Sequence, residues 1–207
     1  MDNAFNLLVD QNYGLIKLLW PPFKDHKPYV GYIQKYLKGL RENGGQYTHA
    51  GAWMIKAFAI MGEGNKAYDL YRMINPIYHS ENRAEANIYA VEPYVVAGDV
   101  YANADNLGRG GWSWYTGAAA WLYVIALENI LGFNLEGDVL KLNPCLPADW
   151  EVSFLFIYKN TPYTVIIKNP DRRQTGVKTI ILDGEVQKDE IHLADDGKEH
   201  KVQVIMG

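Results

Sequence analysis

Near Gly132 the spacing of apolar residues changes, and no single kind of layer accommodates both halves of the chain. Residues 1–133 carry helical patterns. "YTHAGAWMIKAFAIMG" (47–62) sets Trp53, Ala57 and Ile60 at i, i+4 and i+7, with Met54, Phe58 and Met61 beside them. Gly62 and Gly64 supply a stop. "NKAYDLYRMI" (65–74) restarts with Asn65 as its expected cap, and Asn75-Pro76 ends it. "GAAAWLYVIALENILG" (117–132) is a third helix, with Gly132 as its C-cap. "EPYVVAGDVY" (92–101) fits a helix or a short strand; the helix is the preferred reading, with Glu92 and Pro93 in its first turn.

After Gly132 come "LKLNPCLP", "VSFLFIY", "YTVIIKN", "KTIILDG" and "HKVQVIMG", short runs rich in Val, Ile and Tyr. "KNPDRRQTG" and "LADDGKEH" between them read as turns. Helices followed by strands, without alternation, predict a segregated α+β chain rather than a βαβ sheet. The expected division is a helical part over 1–133 and a β domain over 134–207.

At 207 residues the chain can bury a core as one large domain or two small ones. The net charge of −4 argues against broad electrostatic capture of nucleic acid. No apolar run reaches the roughly 18–20 residues that span a bilayer, and no secretory pattern opens the sequence. One cysteine, Cys145, excludes an internal disulfide and fits a reducing, cytoplasmic setting. Six Trp and fifteen Tyr supply flat faces that suit sugar rings as well as cores.

Two stretches hold more chemistry than folding requires. "RENGGQYTHA" (41–50) packs a cation, a carboxylate, two amides, two glycines and an imidazole together. Gly44-Gly45 permits close backbone approach, and a helix starting near Thr48 would place His49 in its first turn, where anions are favoured. The alternative is a capped helix with a packed imidazole. In "GRGGWSWYTGAAAW" (108–121), Trp112 and Trp114 precede Thr116-Gly117, a hydroxyl and an N–H able to hold a phosphate oxygen. Taken alone, those residues favour an ordinary N-cap with two core indoles. Glu92 and Asp99, seven apart, would share a helix face as an acid–base pair or as structural hydrogen-bonding groups. No His/Cys/Asp/Glu cluster has metal spacing, no GxSxG elbow is present, and no phosphate-loop motif supports a nucleotide.

Taken in order, "PPF" (21–23), "GYIQKY" (31–36), "RENGGQYTHA", "INPIYH" (74–79), "YAVEPYVVAGDVY" (89–101), "GRGGWSWYTGAAAW", "LENILGF" (127–133) and "LNPCLPADW" (142–150) resemble the C-terminal part of glycoside hydrolase family 94. That family includes cellobiose, chitobiose and cellodextrin phosphorylases, and the likeness is strongest to cyclic β-1,2-glucan synthetases and β-1,2-oligoglucan phosphorylases. The resemblance implies the last helices of an (α/α)6-type barrel followed by a small C-terminal β-sheet or sandwich domain. It implies inverting phosphorolysis of a β-linked gluco-oligosaccharide, with inorganic phosphate as co-substrate and no cofactor or metal. His49, Thr116 and Gly117 match the family's phosphate-binding positions. Tyr36, Arg41 and Glu42 match the acceptor-sugar subsite, and Trp112 and Trp114 match aromatic positions near it.

The departures from the family pattern are also informative. The family's general acid lies in an upstream Asp-Trp-Asn-Asp-like segment with no counterpart here, and Asp149-Trp150 is not it. A Gln of the cellobiose enzymes is absent near Ala97–Gly98. The expectation is a C-terminal fragment, inactive alone, that pairs with a missing barrel half or with its own copy. The other readings are one subunit of a split enzyme, a non-catalytic carbohydrate-binding or interaction module, or a small enzyme using Glu92 or Asp99 as acid.

Overall fold

A computed structural model describes residues 1–114 and 116–207; Tyr115, inside the Trp-rich stretch, lies outside them. The chain is a mixture of helix and sheet, of the α+β kind, and divides into two compact units. One comprises residues 1–57 and 69–123, the other residues 58–68 and 124–207. Among the described residues no helix is long and apolar enough to cross a membrane.

In the first unit, helix α1 (Asp2–Leu8) leads into a small hairpin, β1 (Val9–Asp10) with β2 (Leu15–Ile16). Strand β3 (Gln46–Tyr47) runs into helix α2 (Thr48–Ile60), and α3 (Gly64–Ile74) follows; residues 58–68, from the end of α2 to the start of α3, belong to the second unit. Helix α4 (Arg83–Tyr89), which the periodicity did not reveal, starts at Asn82, whose side chain accepts hydrogen bonds from the Ala84 and Glu85 N–H groups. Strand β4 (Asp99–Val100) and helix α5 (Ala118–Val124) complete the unit. Leu15, Tyr89, Ala97 and Val100 form a buried cluster, with Val91, Ala102 and Leu107 packed against it.

Three expectations need correction here. Residues 92–98 are not helical: the buried Tyr89 hydroxyl donates to the Val95 carbonyl (3.0 Å) and accepts from the Ala97 N–H (3.0 Å), holding the segment as a loop before β4. Glu92 and Asp99 therefore share no helix face; Glu92 is exposed and Asp99 buried. The buried stripe of α2 is Ala52, Ile55, Phe58 and Ala59, whereas Trp53, Ile60 and the following Met61 are 55%, 70% and 57% exposed. Asn65 does not cap α3; its side-chain oxygen accepts from the Ala148 N–H (2.9 Å) and its own N–H donates to Gln174 (2.8 Å).

In the second unit the helical stretch continues as a π-helical turn, Ile125–Ile130, in which the Leu131 N–H reaches back five residues to the Ala126 carbonyl. Gly132, at φ +71°, ends it. Strands β5 (Phe133–Glu136) and β6 (Val139–Leu142) form a hairpin. Strands β7 (Val152–Tyr158), β8 (Thr161–Lys168), β9 (Val177–Leu182), β10 (Glu185–Gln187), β11 (Ile191–His192) and β12 (His200–Met206) follow. The larger sheet has the order β10-β9-β12-β8-β7 and the smaller β11-β6-β5. Only the β12–β8 pair in the larger sheet is parallel. The alternation read from the sequence is realised: Tyr163, Val165 and Ile167 of β8 and Val202, Val204 and Met206 of β12 are buried. Phe133 of β5 meets Phe154 and Phe156 of β7 with ring centroids 6.0 and 4.9 Å apart.

One end of β12 carries a small ionic group. His200 sits between Asp183 (2.6 Å) and Asp196 (3.1 Å) and stacks on Tyr163. The hydrogen bond to Asp183 raises the imidazole above its ordinary pKa. Burial pushes Asp183 up, but hydrogen bonds from His200 and the Lys201 N–H more than offset it and hold the carboxyl below its usual range. The His200 contribution is thus complete below roughly pH 6.5 and fades as pH rises through the raised folded value. The Asp183 contribution fades at the acid end, below about pH 4. The unfolding free energy read from urea titrations is expected to fall slightly from mildly acidic to mildly alkaline pH, by the order of 0.5 kcal/mol for a pair this near solvent. His200→Asn removes that slope; an unchanged slope in the variant would exclude His200 as its source.

Candidate functional site

The site residues come from segments distant in sequence, and backbone pairing gathers them. Strand β3 pairs antiparallel with β4, setting Gln46 opposite Val100 and Tyr47 opposite Asp99. Val100 also bridges to Gly110. The Thr48 N–H donates to the Gly98 carbonyl (3.0 Å), the Gly98 N–H to the Trp112 carbonyl (2.5 Å), and the Gly111 N–H to the Asp99 carbonyl (3.0 Å). This ladder brings residues 41–49, 98–100 and 110–112 into one neighbourhood.

The two amides of "RENGGQ" are framework. Asn43, fully buried, accepts from the Phe23 N–H (2.7 Å) and donates to the Tyr36 carbonyl (2.8 Å). Gln46, 1% exposed, accepts from the Ile16 N–H (3.0 Å) and donates to the Thr48 hydroxyl (3.4 Å). Buried polar groups need such partners, and here meeting that need fixes the turn that presents Arg41. Gly45 is required by close approach: a methyl group there would lie 2.9 Å from the carbonyl oxygens of both Gly39 and Arg41.

Arg41, Tyr47, His49, Gly98, Asp99, Trp112, Thr116 and Gly117 line one cavity of about 280 Å³. Five of the eight residues that the family resemblance points to therefore meet there: Arg41, His49, Trp112, Thr116 and Gly117. Tyr36 stands one step back, its ring 5.5 Å from the Arg41 guanidinium carbon. Glu42 is not on the lining, and its Oε2 is buried without a partner among the described residues. Trp114 is 73% exposed and also stands off the lining, so it is not a core indole.

His49 lies in the first turn of α2, edge-on to Trp53 (5.0 Å) and tilted against Trp121 (6.0 Å). Its Nε2 is buried and has no partner among the described residues. A polar atom in that condition is costly unless a ligand or water completes it. Gly117 leaves the ring accessible, since even a methyl group there would stand 3.6 Å from the imidazole Cε1. The Thr116 hydroxyl accepts from the Ala118 N–H (3.0 Å), capping α5 and leaving its own proton to donate.

Arg41 stacks on Trp112, its guanidinium carbon 4.6 Å from the ring centroid. Asp99, 4% exposed, accepts from the Trp112 N–H through Oδ1 (3.0 Å). Burial raises its carboxyl above the usual range, against the Trp112 hydrogen bond and the Arg41 charge, which lower it; Glu42 adds to the rise. In the sequence Asp99 read as an acid in apolar surroundings with a structural or an acid–base role. Its place in this cavity depends on the β3–β4 register, which the sequence does not show. Nothing in the sequence points to Tyr47, and Gly98 enters there only as the place of an absent Gln. The cavity thus joins a guanidinium, an imidazole, a hydroxyl and a buried carboxyl beside an exposed indole.

The family model described as "Glycosyl hydrolase 94 superfamily, catalytic domain" matches residues 1–132. Cyclic beta-(1,2)-glucan synthase NdvB of Rhizobium meliloti (strain 1021) is 46% identical over 150 residues, which cover 72% of this chain and 5% of that protein. Solabiose phosphorylase of Paenibacillus borealis is 32% identical over 202 residues, 96% of this chain and 26% of that protein. N,N'-diacetylchitobiose phosphorylase of Vibrio furnissii is 30% identical over 209 residues, 100% of this chain and 25% of that protein. The chain therefore spans between 5% and 26% of the length of these relatives. Because the match runs through every segment that lines the cavity, the chain belongs to the glycosyl hydrolase 94 family.

Proposed function

We propose that this chain carries the phosphate-binding and acceptor-sugar half of an inverting β-glucan phosphorylase-type site. The observation that carries the reading is the shared cavity of His49 and Thr116–Gly117, with an imidazole nitrogen that has no partner among the described residues. Inorganic phosphate is held by His49, the Thr116 hydroxyl and Gly117. Arg41 and Trp112 offer a cation and an aromatic face to the acceptor sugar, with Tyr36, Glu42 and Trp114 around them. Phosphate is already a nucleophilic anion, so the site's task is to position it and balance its charge. It attacks the anomeric carbon while an acid on the opposite face protonates the departing oxygen. That acid is an aspartate of polypeptide outside this sequence; the resemblance gives no residue here the role.

In architecture, residues 1–133 are the last helices of an (α/α)6-type barrel and residues 134–207 its C-terminal β domain. The exposure of Trp53, Tyr94, Trp114 and Tyr123 (55%, 77%, 73% and 67%) supports a covering polypeptide, the remaining barrel or a second copy of the chain. A carbohydrate-binding module without catalysis is the second reading, favoured by the same exposed aromatic rings. Mixing this chain with a polypeptide carrying the upstream barrel half separates the two. Phosphate release from glucose 1-phosphate with a glucan acceptor, seen only in the mixture, supports the split site.

Phosphate titration tests the anion site itself. Phosphate is expected to bind the chain, and His49→Ala to weaken it about 10- to 100-fold, the range for a hydrogen bond to a charged group. Equal phosphate affinity in wild type and variant would remove His49 from the site.

A further inference from the structure

A carboxylate is an unexpected wall for an anion pocket. Asp99 is nearly fully buried, lines the same cavity of about 280 Å³ as His49, Thr116 and Gly117, and would repel any oxyanion placed beside it. The segments that carry these groups approach one another closely. A methyl group on Gly98 would lie 3.6 Å from the Thr116 Cβ, and one on Gly117 would lie 3.6 Å from the His49 ring. Among the described residues, the charged and titratable groups around Asp99 are Arg41 and Glu42 from the turn, Tyr47 opposite it in the ladder, His49, and Tyr101, whose hydroxyl lies near Gly111. Only Arg41 among them is a permanent cation, and it is already stacked on Trp112.

One arrangement removes the repulsion without moving any element. A carboxylate offers about four acceptor sites, and the backbone N–H groups of Trp112 and Arg41 that act on Asp99 leave acceptor capacity free. Hydrogen phosphate keeps a P–O–H group at neutral pH, and that hydrogen can point at Asp99 while the other oxygens face His49, Thr116 and Gly117. Sulfate has the same shape and charge but no hydrogen, so it brings only acceptors against an acceptor. A site of this kind discriminates through the repulsive contact as much as through the attractive one.

We propose that Asp99 accepts the hydrogen of a protonated oxyanion, so that this pocket selects hydrogen phosphate and hydrogen arsenate over sulfate. The inference rests on the phosphate reading of the cavity and adds to it a residue and a selectivity. Burial that raises the Asp99 carboxyl is compatible with a shared hydrogen at this position.

The test is calorimetric titration of the whole chain with sodium phosphate, arsenate and sulfate at neutral pH and constant ionic strength. Phosphate and arsenate are expected to bind at least about tenfold more tightly than sulfate, one buried acceptor–acceptor clash being of that order. Asp99→Asn keeps an oxygen for the Trp112 N–H and gains N–H donors, so the ratio is expected to fall below about threefold, mainly through tighter sulfate. Sulfate binding wild type within about twofold of phosphate overturns the inference, and this comparison decides even if the variant fails to fold. If phosphate binds and His49→Ala weakens it, yet a folded Asp99→Asn keeps the wild-type ratio, the role of Asp99 is wrong and the phosphate site stands. If phosphate does not bind wild type at all, both fall.

Discussion

Gly132→Ala is expected to be the most damaging single methyl group in the chain. The residue sits at φ +71°, where the π-helical turn hands over to β5. A Cβ there would overlap the Asn143 carbonyl and the Pro144 nitrogen. Neither can retreat, because the Gly132 carbonyl accepts from the Asn143 N–H (2.9 Å) and from the Asn134 side chain (3.2 Å). Left-handed backbone costs an L-residue about 1–2 kcal/mol, and overpacking adds about 1–3 kcal/mol. A loss of about 2–5 kcal/mol should therefore appear in urea unfolding. Gly137→Ala is the control: it has φ +65° but nothing within 4 Å of its Cβ, so it pays only the conformational part. Equal losses in the two variants would mean that the Asn143 overlap is relieved at no cost and that the packing described around Gly132 is wrong.

The second large effect concerns binding without stability. Gly117 has no positive φ that would call for glycine, and among the described residues a Cβ there meets only the His49 ring, at 3.6 and 3.7 Å. Gly117→Leu would fill much of the cavity while leaving the helix start intact. Phosphate affinity is expected to fall by at least about 30-fold, or about 2 kcal/mol, with unfolding free energy within about 1 kcal/mol of wild type. Gly117→Ala, which adds only an ordinary van der Waals contact, should lie between the two. Undiminished phosphate binding by the leucine variant would place the anion somewhere other than beside His49 and Thr116.

How far the sequence was legible follows from which forces set each element. Strands β7, β8, β9 and β12 follow from a period-two pattern, because one face of each meets a core and the pleat admits no other phase. Helix α2 is legible as a helix, but its inner face is not. Apolar residues lie on both of its sides, so periodicity cannot choose between Trp53 and Ile55. Helix α4 is only seven residues long and lacks a stripe; its legible signal was Asn82 followed three residues later by Glu85. The loop at 92–98 was beyond local reading, since it is held by the hydroxyl of Tyr89, a tertiary contact that overrides a Val-rich segment's ambiguity. The motifs around His49 and Thr116 were visible as motifs. Their convergence, and the arrival of Asp99 between them, depend on a ladder of two-residue strands that leaves no period at all.

The central place of β12 in its sheet has a consequence during synthesis. Strands β8 and β9 are not hydrogen-bonded to each other; each pairs instead with residues 200–206. On the ribosome, everything from β7 to β11 emerges before the strand that joins the two pairs. Vectorial translation therefore leaves β7–β8 and β9–β10 as separate ribbons with bare inner edges, and such edges recruit other chains. A stall or proteolytic nick just before His200 would strand the nascent product in that sticky state, so quality-control chaperones would meet this half of the polypeptide late and open.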